Sequence, residues 1–361
     1  MKNRYYKILL YSYIFIVLFG LLMIYSASSV WSNYKYGNSF HYLFMQIIFI
    51  FISTIIYKFM NNIEINFFEK ESNKLFVFSS LLLILVALPF IGKKMNGSRS
   101  WFGIGPFGVQ PSELAKLTII IFTSKFLSKN KTYTFKEFFP ILFSSIFVVG
   151  LIMLEPDLGT SVIILITTIA MIFISGSKKN YFFMLFFAFL LSFILLILIA
   201  PYRVKRITSF MNPWNDPLDS GFQIIQSMYA IGPSGILGRG LFKSIQKNFF
   251  LPEPQTDFIF SIIAEELGLI GCIIIILFYF IIIFTGIKIA LNSDNLFKKY
   301  LAFGITFSIS FQAILNLMVA SSLIPITGVT LPFISYGGSS FISSSTLLFI
   351  LIKIAKEDAI M

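Results

Sequence analysis

The chain has 361 residues, 57% of them hydrophobic and only 12% charged, against roughly 25% charged for an ordinary soluble domain. With 45 Phe among them, so much apolar surface excludes a water-soluble globule and points to lipid as the solvent. The net charge of +12 is not a nucleic-acid footprint, because the cations sit in short segments between apolar runs, as membrane orientation requires.

The first apolar run extends from about Ile8 to Ser29 behind Lys2, Arg4 and Lys7. It is long enough to span and has no cleavage site, so it predicts a first helix rather than a signal peptide. Further runs centre near residues 51, 83, 121, 146, 167, 190, 272, 311 and 343. The prediction is an all-α integral membrane protein of about ten spans. It forms one polytopic domain over 1–361, with a long loop over 201–256 between the seventh and eighth spans. Within that loop, Gly221 to Ile231 is amphipathic and predicts an interfacial or re-entrant helix. With the N-terminus inside, 17 Lys and Arg fall in cytoplasmic segments and 4 (Lys35, Lys93, Lys94 and Arg99) in short outer loops. That bias places both termini in the cytoplasm and the long loop outside. Cys272 is the single cysteine, so no intramolecular disulfide forms, and His41 is the single histidine and makes no metal cluster alone.

Ionisable residues inside a membrane are costly and mark functional candidates. Glu113 and Lys116 open the fourth span at i,i+3 spacing, which places them on one helix face. They read either as a structural ion pair or as the wall of a substrate cavity. The eighth span opens at Thr256-Asp257 and then carries Glu265 and Glu266. Eight residues of helix rotate about 80° and rise about 12 Å, which sets Glu265 below Asp257 on roughly the same side. Asp257 suits a general base at the water interface or a helix N-cap. Arg203, Lys205 and Arg206 follow the seventh span and suit either a phosphate or pyrophosphate head group or anchoring to anionic lipid. Gly337-Gly338-Ser339-Ser340 suits close helix packing or a backbone-rich groove. The glycine run Gly232-Pro-Ser-Gly235-Ile-Leu-Gly238-Arg-Gly240 matches no nucleotide-binding pattern.

Several motifs stand in a familiar order. They are Asn96-Gly-Ser-Arg-Ser-Trp101, Gln110-Pro-Ser-Glu113, Asn212-Pro-Trp-Asn-Asp-Pro217, Gly221-Phe-Gln-Ile-Ile-Gln-Ser227, Leu251-Pro-Glu-Pro-Gln-Thr-Asp-Phe-Ile-Phe260, Ala264-Glu-Glu-Leu-Gly268 and Leu331-Pro-Phe-Ile-Ser-Tyr-Gly-Gly-Ser-Ser340. Together they resemble the SEDS family of shape, elongation, division and sporulation proteins (RodA and FtsW), and the division branch, FtsW, more than RodA, with a sporulation-type relative as the remaining alternative. The resemblance runs over nearly the whole chain. One departure matters: Gln255 stands where many relatives have His, which moves the weight of base catalysis to Asp257.

The resemblance implies a peptidoglycan glycosyltransferase at the outer face of the bacterial cytoplasmic membrane, at the division septum. It would polymerise lipid II by an inverting transfer that forms a β-1,4 bond and releases undecaprenyl diphosphate. Asp257 would be the catalytic base. Glu113, Lys116, Arg203, Arg206, Glu253, Glu265 and Ser339 would form the substrate-binding set, and a divalent cation (Mg or Mn) would be a candidate cofactor with no assigned ligands. The implied partners are lipid II, a class B penicillin-binding protein and other divisome membrane proteins, with no nucleic acid. Two other readings use the same residues: a lipid II flippase and a non-catalytic divisome scaffold.

Overall fold

The computed structural model describes residues 2–95, 98–103, 108–130 and 134–360. Asn96 and Gly97 of the first motif, and Lys131 among the cytoplasmic cations, lie outside the described residues. Every predicted apolar run is a helix. The first three are α1 (Lys2–Tyr36), α2 (His41–Asn62) and α3 (Ile65–Ala87). An antiparallel hairpin that the apolar pattern does not signal, β1 (Lys93–Met95) with β2 (Ser98–Trp101), leads to α4 (Pro111–Lys129). There the proline occupies the first turn, where a missing N–H costs nothing. α5 (Phe135–Met153), α6 (Leu158–Ile174) and α7 (Lys179–Ile199) follow. The Glu137 carboxylate reaches back to the Thr134 N–H at 2.9 Å to start α5. Asp157 accepts the Thr160 N–H at 3.0 Å to cap α6.

The long segment after α7 holds two amphipathic helices, α8 (Pro201–Met211) and α9 (Phe222–Ile231), so the helix expected over 221–231 is present. The chain closes with α10 (Ile259–Asn292), α11 (Leu296–Ala320) and α12 (Gly338–Ile360). Six of the described helices (α1, α2, α5, α10, α11 and α12) are both long and apolar enough to cross a membrane by length and composition. Of the others, α6 has 17 residues, and α3 and α4 carry charges within their length. α3 also begins well before its apolar run, since Lys74 pairs with Glu71 at 2.8 Å one turn apart and keeps the polar half helical.

α4, α11 and α12 form the centre of the bundle and are its most enclosed elements. α3 and α6 pack on α4, α2 and α1 on α12, and α10 on α11 and α1. At one end, Lys298 of α11 is buried against Glu357 at 2.9 Å and Asp358 at 3.1 Å of α12. Beside them Lys353 donates to the Asn61 carbonyl at 2.7 Å. These pairs let α12 continue as a helix past the point where its apolar run stops. The opposite end gathers the hairpin, the turn between α5 and α6, α8, α9 and the segment joining α11 to α12.

One helix is broken. At Gly268 the backbone turns to φ 64°, and the chain before α10 fills the gap. Arg239 and Gly240 donate their N–H groups to the Glu265 and Glu266 carbonyls at 2.8 and 2.9 Å, and Leu269 donates to the Gly235 carbonyl at 3.0 Å. A Cβ on Gly238 would stand 2.4 Å from the Glu266 carbonyl carbon, so this approach demands glycine. Irregular backbone at membrane depth is tolerated when protein buries and pairs it. The glycine run with no nucleotide-binding pattern is therefore a plug for a helix break.

Candidate active site

Asp257 stands at the junction between the long loop and α10. The helix starts two residues later, and its N-cap, Phe258, makes no side-chain cap bond. Asp257 caps nothing. Its position is fixed through its main chain: Asn316 of α11 donates from Nδ2 to the Asp257 carbonyl at 2.8 Å and to the Val329 carbonyl at 2.7 Å. The neighbouring residues are pinned as well. Ser335 Oγ donates to the Thr256 carbonyl at 2.6 Å, and the Tyr336 N–H donates to the Gln255 carbonyl at 2.9 Å. A backbone held on three sides leaves the half-buried Asp257 carboxylate free of any described hydrogen-bond donor. Loss of solvent and the adjacent Glu253 carboxylate push its pKa up to about 6, Asp157 pushes the same way, and Arg206 opposes them.

The site residues expected from sequence divide into two groups. Arg206 and Glu253 lie close enough to act on Asp257. The Arg206 guanidinium also donates to the Ile326 carbonyl at 3.2 Å and lies over the Tyr202 ring at 5.9 Å. Arg203, one turn earlier, bonds the Tyr202 hydroxyl at 2.9 Å. Lys205, the third cation of that cluster, is taken up by Asp219 at 2.6 Å. Beneath lies the Glu113–Lys116 pair, with Lys116 Nζ 2.6 Å from Glu113 Oε2 and donating to Gln312 Oε1 at 2.7 Å. Both charges are buried, and the Ser343 hydroxyl ties the Glu113 carbonyl to α12 at 2.9 Å.

Glu265 and Ser339 form the second group. Helix rotation sets Glu265 beneath Asp257 only if one helix carries both, but α10 starts at Ile259, after Asp257, and Glu265 serves as a loop anchor. Its carboxylate takes the Ile245 N–H at 2.9 Å, the Gln246 N–H at 3.3 Å and the Ser244 hydroxyl, with Arg239 3.4 Å away. Glu266 binds the same loop through the Phe242 and Ser244 N–H groups at 3.0 and 3.2 Å, Ser26 at 2.6 Å and Lys247 at 3.1 Å. Ser339 joins α12 to the start of α4, accepting the Gln110 N–H at 3.0 Å and donating to the Gly108 carbonyl at 2.8 Å. That is the packing role small residues serve between helices.

Asp157 is the functional candidate that reading the sequence passed over. It acts on Asp257 from one side and feels Glu113 and Lys116 on the other, so it links the two parts of the site. Gln110 and Ser112 donate to its second oxygen at 3.1 and 3.4 Å. The signal was its place in Glu155-Pro156-Asp157, a polar turn directly before an apolar run. Among the described residues, no group of three or more His, Cys, Asp or Glu is arranged to hold a metal ion, so the carboxylates here do not form a ready ligand set.

A base without a hydrogen-bond donor, a cation beside it and a buried ion pair below suit a transfer that removes a proton and expels an anion. The family profile of FtsW, RodA and SpoVE, described as cell cycle proteins, matches residues 6–360. Stage V sporulation protein E of Bacillus subtilis is 48% identical over 327 residues, covering 89% of this chain and 88% of that protein. A probable peptidoglycan glycosyltransferase FtsW of Coxiella burnetii is 39% identical over 344 residues, covering 94% and 92%. A chain from a solved peptidoglycan synthase complex that coordinates polymerisation and crosslinking superposes with a TM-score of 0.79 at 28% identity, over 97% of each chain. RodA of Thermus thermophilus superposes at 0.71 with 24% identity, over 97% and 96%, which establishes the common fold. With almost its whole length matched in sequence and in fold, the chain belongs to the SEDS family of FtsW, RodA and SpoVE membrane proteins.

Proposed function

We propose that this chain polymerises lipid II with Asp257 as the general base. Peptidoglycan glycosyl transfer in septal cell-wall synthesis is the family's activity and this chain's own. In the step we assign, the Asp257 carboxylate takes the proton of the acceptor sugar's 4-hydroxyl as that oxygen attacks the donor's anomeric carbon. The new C–O bond forms as the bond to pyrophosphate breaks, the centre inverts to a β-1,4 linkage, and undecaprenyl diphosphate leaves. Arg206 lies where it meets the departing pyrophosphate charge, with Arg203 beside it. Pyrophosphate leaves without a proton, so cations can serve in place of a general acid. Lys116, held by Glu113 and Gln312, adds a positive charge below. Glu253, close enough to act on Asp257, is assigned to substrate binding beside it.

The observation that carries this reading is the Asp257 carboxylate, fixed through its backbone yet bonded to no described donor. A flippase needs a polar route past the midplane, whereas these groups gather at one end of the bundle. All ten long helices span in this reading, with both termini in the cytoplasm and residues 201–256 outside, in the bacterial inner membrane. The partners we infer beyond lipid II are a class B penicillin-binding protein and other divisome membrane proteins.

The test is purified protein with its transpeptidase partner and labelled lipid II, read as a glycan ladder. Asp257→Asn is expected to lose at least about two decades in rate while remaining folded, the typical worth of general-base catalysis. A ladder of ordinary intensity from that variant removes Asp257 as the base.

A further inference from the structure

Two carboxyl groups share the turn between α5 and α6, and they are treated differently. Asp157 receives three donors: the Thr160 N–H at 3.0 Å, Gln110 Nε2 at 3.1 Å and Ser112 Oγ at 3.4 Å. Glu155, two residues earlier, is 1% exposed, and neither of its carboxyl oxygens has a hydrogen-bond partner among the described residues. Its main chain, by contrast, is held: the Ser100 hydroxyl of β2 donates to the Glu155 carbonyl at 3.1 Å, which seats the hairpin on the turn. Burial raises the Asp157 pKa, but its donors oppose that rise, so of the two carboxyls it is the better able to hold a charge. A buried carboxyl without a donor cannot bear a charge without heavy cost, and it neutralises instead.

We propose that Glu155 and Asp157 act as one unit holding a single negative charge, with the charge on Asp157 and the proton on Glu155, and that the turn keeps its shape only while that proton stays. Glu155 is a positioning residue: it is enclosed under the hairpin, and it acts through Asp157. When Glu155 loses its proton, two buried negative charges face each other within one turn. The repulsion drives Asp157 off the α6 N-terminus and away from Gln110 and Ser112, disturbing the charge balance around Asp257 and Lys116. Among the described ionisable groups, Asp157 is the one that acts on Glu155 directly, while Glu113 and Lys116 of α4 act on Asp157. Burial first, and then Asp157, push the Glu155 pKa up to about 8. The proton is therefore held at neutral pH and released in the mildly alkaline range.

The effect on turnover rests on the glycosyltransferase reading above, whereas the site of the proton does not, so two readouts separate them. The first is infrared absorption of the detergent-purified full chain in the Asp257→Asn background, where Asp257 contributes no protonated carboxyl. A protonated-carboxyl band is expected at about pH 7 and lost by about pH 9.5, and it is absent when Glu155→Gln is added. No band at about pH 7, or a band unchanged by Glu155→Gln, overturns the proposal whatever the activity. The second is the glycan-ladder rate against pH. The native chain is expected to fall about tenfold between about pH 7 and pH 9.5, in line with the sensitivity of catalysis to small misplacements. Glu155→Gln, which has no proton to lose, keeps its neutral rate over that range. Parallel profiles for the two overturn the switch. If Glu155→Gln does not fold, Asp157→Asn is added to Asp257→Asn instead: the band is expected to persist and to titrate at lower pH, and its loss overturns the proposal.

Discussion

Asn316 holds Asp257 by its main chain, donating to the Asp257 carbonyl at 2.8 Å while the same amide nitrogen donates to Val329 at 2.7 Å. One side chain from the middle of the bundle thus fixes both the loop that carries Asp257 and the segment that holds Val329. Asn316 is itself fully buried, so this clamp is not shared with water.

Replacing Asn316 by Ala therefore disturbs Asp257 without altering its chemistry. Two buried carbonyls lose their donor, at about 1–3 kcal/mol each for an unsatisfied polar group. We expect a lower unfolding temperature in detergent and a glycan-ladder rate down about 10- to 100-fold, the scale on which a 1 Å misplacement acts. A rate within about twofold of the parent would show that the loop holds Asp257 by other means.

The second prediction concerns Glu266 and Lys247, which meet at 3.1 Å with both side chains almost wholly enclosed. Glu266→Gln leaves Lys247 a buried charge without its counter-ion, a loss of about 3–5 kcal/mol where one partner of a buried pair is removed. Adding Lys247→Met to Glu266→Gln removes the orphaned charge and is expected to recover part of that loss. Thermal unfolding in detergent reads both. Additive losses in the double variant would mean that the two groups do not depend on one another.

This pair also shows where the sequence was legible and where it was not. The apolar runs gave every long helix, because burial in lipid writes itself into composition over some 20 residues. Asp257, Arg206 and the Glu113–Lys116 pair stand out in the sequence as candidates because charge beside an apolar run is costly and so conspicuous. Glu265 is placed beneath Asp257 by assuming that one helix carries both, whereas α10 starts only at Ile259 and Asp257 lies on the turn before it. Asp157 and Asn316 were missed for a different reason. Each is an ordinary polar residue in its local context, and its role exists only through partners far away in sequence, such as Gln110 and Val329.

The proposed orientation is testable with the chain's single cysteine removed. In Cys272→Ala, new cysteines at Thr208 of α8 and Lys129 at the end of α4 should lie on opposite sides of the membrane. A membrane-impermeant maleimide is expected to label Thr208→Cys in intact cells and Lys129→Cys only after permeabilisation. The reverse pattern would invert the topology and put Asp257 on the wrong side for an acceptor outside the cell.

The acid limb of the pH profile identifies the base. As the proposed base, Asp257 would work only when ionised, and its pKa stands at about 6, raised by loss of solvent and by Glu253 and opposed by Arg206. Below about pH 7, where Glu155 keeps its proton, kcat/KM should therefore follow this group alone, falling about tenfold per pH unit below its pKa, as for a single essential base in the free enzyme. The two neighbours act with opposite sign, which makes the assignment specific. Arg206→Gln removes a positive charge that favours the carboxylate, so the pKa rises and the limb moves to higher pH. Glu253→Gln removes a negative charge that disfavours it, so the limb moves to lower pH. Both variants are expected to lose rate at the plateau as well, which is why the position of the limb, not its height, is the readout. Shifts in the same direction, or none, would mean that the titrating group is not Asp257.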